Sequence, residues 1–198
     1  MVMEPINKNI KSLKKASPQY DVFHGTDKSF DLRDMSEVNK STNSTAIGWY
    51  DVTRHGIFLT NNENFAKQYG KNILSLTVDI KNPALINEDI QYDFVSTLDP
   101  FQERELWLQA KHAQKTWNLF DGDVGERFVN FLKQKGYDGA IFEDMITQEN
   151  GEEVEGTTYV AFSRNQIKQR QNKENVISLD KHTTSQLYAI FEKSIKVC

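Results

Sequence analysis

Strand-like and helix-like segments follow one another irregularly along this chain of 198 residues, and their order constrains the fold more than any other feature. Alternation at 20–24 and apolar runs at 56–60 and 73–80 predict strands. Helical spacing follows at 99–117 and 124–134. These segments do not repeat as regular strand–helix–strand units, so we predict the α+β class.

Three polar stretches between these segments are predicted to be loops. The segment 27–54 is rich in Ser, Thr, Asn and Asp and is interpreted as one long loop. An acidic loop is predicted at 143–156, between short strands at 140–142 and 158–162, and a further loop at 165–180. Loops this long in a compact domain are usually functional or disordered.

The length and composition fit one folded domain. Hydrophobic residues make up 38 % of the chain and aromatic residues 11 %, enough for an ordinary core. We place this domain at 20–170. It is flanked by a polar, partly helical extension at 1–19 and a helical extension at 171–198.

Charge and cysteine content exclude several function classes. A net charge of −4 argues against a nucleic-acid binder. The one cysteine, Cys198, allows neither an internal disulfide nor a cysteine metal cage, and His55, His112 and His182 lack metal-ligand spacing. The apolar stretches are too short for membrane insertion, and the first residues are too polar for a secretory signal. We expect a cytoplasmic protein, in the producing cell or in a host cell reached by a route without an apolar signal.

Several short motifs follow in a fixed order along the chain. They are His24-Gly25-Thr26, Gly56-Ile57-Phe58-Leu59-Thr60, the helical set Phe65, Ala66 and Tyr69, then Asn82-Pro83, Gly136-Tyr137-Asp138-Gly139, Tyr159-Val160-Ala161-Phe162 and Asn165-Gln166-Ile167-Lys168. Together they resemble the ADP-ribosyltransferase domains of bacterial, phage and mobile-element proteins over about residues 20–170. The first half is also similar to the HG…GIYF pattern of the poly-ADP-ribose polymerases.

This resemblance implies a split β-sheet (β-sandwich) with peripheral helices, and NAD+ as co-substrate in a cleft between two sheets. It implies that the backbone of Gly25 binds the nicotinamide amide, since a glycine allows close approach, while His24 donates a hydrogen bond to a ribose hydroxyl. The rings of Phe58 and Tyr69 would stack on the nicotinamide. The hydroxyls of Thr26 and Thr60 are further candidates for the ribose.

A carboxylate is needed for the reaction, because positive charge develops on the ribose as nicotinamide leaves. In the polymerases a glutamate directly precedes the aromatic residue of the penultimate strand motif, and Thr158 occupies that position here. The nearby Glu153-Val154-Glu155 resembles the E-x-E pair of arginine-modifying transferases. The resemblance gives Glu155 to NAD+ and Glu153 to the acceptor, whereas a solvated acidic loop is the alternative interpretation.

The resemblance implies a protein mono-ADP-ribosyltransferase without a metal, of the kind found as toxins, secreted effectors or phage-borne modifiers of host proteins. Arginine is the favoured acceptor if Glu153 and Glu155 form a pair. Two alternatives stay open. One is an inactive transferase fold that binds NAD+ or a protein, and the other is an NAD+ glycohydrolase, in which water is the acceptor.

Overall fold

A seven-stranded sheet forms the centre of the protein in a computed structural model. The structure describes residues 18–27, 32–45, 48–113, 115–147 and 151–170. Its strand order is β6-β7-β8-β4-β1-β5-β9, and a separate hairpin pairs β2 with β3. All neighbouring strands are antiparallel except β6 and β7, which are parallel.

The bounds of the described elements are as follows. The strands are β1 (Gln19–Thr26), β2 (Val38–Thr45), β3 (Gly48–His55), β4 (Ile57–Thr60), β5 (Asn72–Asp79), β6 (Pro83–Leu85), β7 (Gly139–Thr147), β8 (Glu153–Ala161) and β9 (Ile167–Gln169). The α-helices are α1 (Glu63–Ala66), α2 (Glu88–Ser96), α3 (Arg104–Lys111) and α4 (Gly122–Gln134). Short 3₁₀ turns lie at Leu32–Asp34, Lys67–Tyr69, Thr116–Phe120 and Arg164–Gln166.

The central sheet is divided between β4 and β1. These two strands are paired in register only at Phe23 and Thr60. On its other side, β1 pairs with β5 along its whole length, from Gln19 opposite Asp79 to Thr26 opposite Asn72. The sheet therefore has two parts, β6-β7-β8-β4 and β1-β5-β9. The predicted α+β class and split sheet are confirmed.

Two apolar clusters cover opposite faces of the sheet. Helices α2 and α4 supply Phe94, Phe128 and Leu132 to the first cluster, which also contains Phe142 of β7 and Val160 of β8. The second cluster includes Val22, Ile57, Leu59, Leu76 and Tyr159. Because neighbouring residues of a strand point to opposite faces, Val160 and Tyr159 of β8 belong to different clusters.

The predicted strands at 20–24, 56–60 and 73–80 and the helix at 124–134 are confirmed in position. The loop predicted at 27–54 is wrong, because most of it forms the β2–β3 hairpin. The mostly polar residues of these two strands lack the apolar alternation that predicts a strand. Each strand forms its ladder only with the other.

The acidic loop predicted at 143–156 is also largely wrong. β7 continues to Thr147 and β8 begins at Glu153, so most of its acids lie on paired strands. The helix predicted at 99–117 is shorter, covering Arg104–Lys111. The expected helices at 5–15 and 183–197 lie outside the described residues, and the division at 1–19 and 171–198 stays a prediction.

The aromatic packing of α4 gives a first testable prediction. Phe128 is fully buried, and its ring centroid lies 4.9 Å from that of Phe94 and 5.2 Å from that of Phe120. Phe128→Ala should lower the free energy of unfolding by about 3–5 kcal/mol, measured by urea denaturation. Phe101 is 92 % exposed, so Phe101→Ala is the matched control and should change it by less than about 0.5 kcal/mol. Equal effects of the two substitutions would contradict this assignment of the core.

Candidate active site

His24 lies where β1 and β4 separate. Its Nδ1 is 3.0 Å from the carbonyl oxygen of Phe58. A carbonyl only accepts hydrogen bonds, so Nδ1 carries the proton, and in the neutral ring Nε2 is then an acceptor. The predicted contact between the HGT and GIFLT motifs is present. For a neutral ring, however, a ribose hydroxyl would donate to His24 rather than accept from it.

Gly25 allows α1 to pack directly against the end of β1. A Cβ atom at this position would lie only 1.9 Å from the carbonyl oxygen of Ala66 and 3.4 Å from the Cβ of Tyr69. No residue with a side chain fits without displacing α1. Gly25, next to His24 in the chain, therefore places Tyr69 beside the end of β1. We call the region where β1 and β4 separate, with His24, Gly25, Phe58 and Tyr69, the β1–β4 cleft.

Asn62 fixes the beginning of α1. Its side-chain oxygen accepts hydrogen bonds from the amides of Asn64 and Phe65, at 2.9 and 3.3 Å. Its side-chain nitrogen donates to the carbonyl of Glu155 at 2.9 Å, which joins the helix to β8. The position of Tyr69, one turn beyond α1, therefore depends on both β1 and β8.

Phe58 is only partly buried and belongs to an aromatic group. Its ring lies edge-on to Phe120, with centroids 5.4 Å apart. The guanidinium of Arg54 lies 5.1 Å from the Phe58 centroid and 4.9 Å from that of Trp117, within the range of cation–π attraction. Arg54 also forms a two-pronged ion pair with Asp121, with nitrogen–oxygen distances of 2.7 and 3.1 Å.

The two predicted threonines differ in their placement. Thr60 is 4 % exposed, and its hydroxyl accepts a hydrogen bond from the amide of Asn62 at 3.2 Å. This hydroxyl thus stabilises the turn into α1. Thr26 ends β1, opposite Asn72 of β5, and is partly buried. It lies two residues from His24 on the same strand.

Glu153 and Glu155 lie on β8 and are exposed. By strand alternation they share a face with Thr157 and Tyr159, opposite to the face of Thr158 and Val160. Glu155 lines a shallow depression of about 420 Å³ with Asn61, Asn62, Glu63, Glu143, Gly156 and Thr157. The structure therefore does not bring these two glutamates onto the sheet face that carries Phe58.

Sequence reasoning missed Asp144, a half-buried carboxylate on β7. Loss of hydration raises its pKa above the ordinary value, while the amide of Met145 and the charges of Lys115 and Arg54 lower it in part. The charges of Asp144 and Arg54 also shift the pKa of the Tyr69 hydroxyl, in opposite directions. Recognising 143–147 as a strand would have placed Asp144 on the face of Phe142, because residues two apart share a face.

Tyr69 is half-exposed, yet the pKa of its hydroxyl is strongly raised. The residue as a whole is 51 % exposed. Loss of hydration at the hydroxyl, followed by the charge of Asp144, nevertheless raises its pKa to about 12, against the opposing charge of Arg54. Tyr69 therefore stays neutral, and its ring is accessible for stacking.

The described ranges show neither a metal-binding group nor a membrane-spanning helix. No three His, Cys, Asp or Glu side chains in these ranges are grouped closely enough to hold a metal ion. No helix there is long and apolar enough to cross a bilayer. The absence of a bound metal stays a prediction.

The burial of His24 predicts a dependence of stability on pH. Loss of hydration lowers its pKa below the ordinary value of 6.5, and the bond to Phe58 opposes this only in part. Between this lowered pKa and pH 6.5, the unfolded chain binds a proton at His24 that the folded chain does not. The free energy of unfolding therefore decreases as the pH decreases through this window. Between pH 7.5 and 5.5, wild type should lose more stability than His24→Gln in urea denaturation. Equal losses would contradict a buried, neutral imidazole.

A family model described as "ADP-Ribosyltransferase in polyvalent proteins" matches residues 17–176. No curated protein and no solved structure matches the chain. The family match spans both parts of the split sheet and every residue of the β1–β4 cleft. The chain therefore belongs to the ADP-ribosyltransferases of polyvalent proteins.

Proposed function

We propose that the protein is a mono-ADP-ribosyltransferase that cleaves NAD+ and transfers ADP-ribose to a protein side chain. Family membership supports ADP-ribosyl transfer in general, with NAD+ as the usual co-substrate. The β1–β4 cleft carries the more specific proposal, because it joins His24, Gly25, Phe58 and Tyr69 at one place. Attachment of a single ADP-ribose, rather than of a polymer, is part of this proposal.

The cleft offers suitable partners for nicotinamide and its ribose. The backbone of Gly25 would bind the nicotinamide amide, and the half-exposed Tyr69 offers a stacking face. Phe58 provides a second ring on the other side of the strand division. His24 would accept a hydrogen bond from a ribose hydroxyl. Thr26 is kept as a ribose contact, whereas Thr60 would act through the turn that positions α1.

The reaction requires one bond to break and another to form at the anomeric carbon of the ribose. Nicotinamide leaves with the electron pair of the glycosidic bond, and an oxocarbenium-like ribose results. A nucleophile of the target protein then attacks this carbon and gives up its proton. A nearby carboxylate stabilises the developing charge and can accept the proton.

We propose that Glu153 and Glu155 act on the acceptor side. Both are exposed on β8 and therefore accessible to a target protein. An arginine guanidinium is not deprotonated in its free form, so two carboxylates that orient it favour arginine as acceptor. The alternative is that Glu155 stabilises the positive charge on the ribose of NAD+, and Glu155→Gln distinguishes the two roles.

Two other functions stay in competition. Thr158 stands where the polymerases carry their glutamate, which favours an inactive fold that binds NAD+ or a protein without turnover. Water as the acceptor would make the protein an NAD+ glycohydrolase. We place the activity in a cytosol, as an effector, toxin or phage-borne modifier, and labelled NAD+ with a cell lysate decides between these functions. Label on a protein supports transfer, release of nicotinamide alone supports hydrolysis, and neither supports binding only.

His24→Ala tests the cleft as the NAD+ site. It should weaken NAD+ binding by about 1–3 kcal/mol, the cost of one or two hydrogen bonds, measured by calorimetry. The melting temperature should confirm that the variant is folded. Unchanged affinity in a folded variant would mean that the HGT motif does not bind NAD+.

The two glutamates are tested separately by Glu153→Gln and Glu155→Gln. On the acceptor side, either substitution should spare nicotinamide release and reduce labelling of the protein target. If Glu155 serves NAD+ instead, Glu155→Gln should reduce nicotinamide release on the order of 10²–10³-fold. Nicotinamide and labelled protein are measured in the same reaction.

A further inference from the structure

Asp144 continues the buried face of β7 one step beyond the level of Thr60, where β4 ends. Ala140 and Phe142 lie on this face and are buried in the helix-covered cluster. Asp144 is the next residue of the row, and it is half-buried. Its partner across β8 is Gly156, so no side chain covers it from that strand.

Other cleft residues lie within electrostatic range of this carboxylate. Asp144 affects the hydroxyl of Tyr69, and the charge of Arg54 affects both. Arg54 also lies over the ring of Phe58. Asp144 therefore lies within range of the Tyr69 hydroxyl and of the Arg54 guanidinium.

The carboxylate of Asp144 forms few polar contacts with the described residues. The amide of Met145 donates to its Oδ1 at 2.9 Å, and no ion pair joins it to another residue of these ranges. Arg54, the nearby cation, has its guanidinium paired with Asp121. Partial loss of hydration leaves Asp144 with a charge that a cationic ligand would stabilise.

Alternation separates Asp144 from the other acids of this hairpin. Glu143 and Glu155 border the depression on the other side of the β7–β8 ladder. Glu143 accepts a hydrogen bond from the hydroxyl of Thr157 at 3.2 Å, which fixes it on that side. Among the described acids of β7 and β8, Asp144 is the one on the face of Phe142 and Thr158.

We propose that Asp144 is the catalytic carboxylate that stabilises the positive charge on the ribose as nicotinamide leaves. This proposal rests on the function proposed above. Asp144 lies one pleat from Thr158, since Phe142 pairs with Thr158 and Asp144 with Gly156. The stabilising negative charge would thus come from β7, the neighbour of β8, rather than from Thr158, the position directly before Tyr159. The glycosidic electron pair departs with nicotinamide, and Asp144 remains an unmodified carboxylate throughout.

Asp144→Asn tests this assignment, because it removes the charge and keeps the shape. Nicotinamide release under single-turnover conditions should fall on the order of 10²–10³-fold. The affinity for NAD+ should stay within a few-fold, since the ground-state ribose has no formal charge opposite the carboxylate. Asp123→Asn makes the same chemical change at an exposed position of α4 and should leave the rate unchanged. Nicotinamide release by Glu155→Gln is measured in the same experiment, because Glu155 is the alternative candidate for this role.

The outcomes separate this proposal from the proposed function. Full activity of Asp144→Asn would overturn the role of Asp144 while leaving NAD+ cleavage in place. No nicotinamide release by the wild type would overturn the proposed function and this assignment with it. If the Asn variant does not fold, Asp144→Glu and Asp144→Gln form a second pair of equal size. A rate at least about 10-fold higher with glutamate supports the need for charge, and equal rates contradict it.

Discussion

The division of the sheet between β1 and β4 is the constraint on which the candidate site depends. The two strands share one residue pair, Phe23 with Thr60, and then separate. The imidazole of His24 bridges the separation through its bond to the Phe58 carbonyl. An unbroken ladder here would use these backbone groups for strand pairing and leave no space for a ligand. The two parts stay together beside the opening because one apolar cluster spans both, with Val22 and Leu76 from β1 and β5 and Leu59 from β4.

Gly25 and Asn62 determine how α1 is placed at this opening. Gly25 permits α1 to contact β1, and Asn62 joins the beginning of the same helix to β8. Tyr69 is held at the cleft by both parts of the sheet. The ring of Phe58 is held from the other side by Phe120 and by the guanidinium of Arg54.

Apolar alternation and glycine punctuation are local signals, and they predicted the α+β class. The contact between the HGT and GIFLT motifs was predicted by the resemblance to the ADP-ribosyltransferases. The sequence did not predict the β2–β3 hairpin, whose residues are mostly polar and whose pairing depends on the partner strand. It also interpreted the extension of β7 and β8 as an acidic loop. That error concealed Asp144, since the face on which an acid lies is defined only once its strand is recognised. Arg54 was missed because its partners Phe58, Trp117 and Asp121 meet only in the folded chain.

The central claim is that the β1–β4 cleft is the nicotinamide site. A structure of the protein with a non-hydrolysable NAD+ analogue tests it most directly, by crystallography or by ligand-to-protein NMR contacts. The account predicts the nicotinamide ring beside Gly25, between Phe58 and Tyr69, with a ribose hydroxyl close to His24. An analogue bound elsewhere, with these four residues unperturbed, would contradict the account.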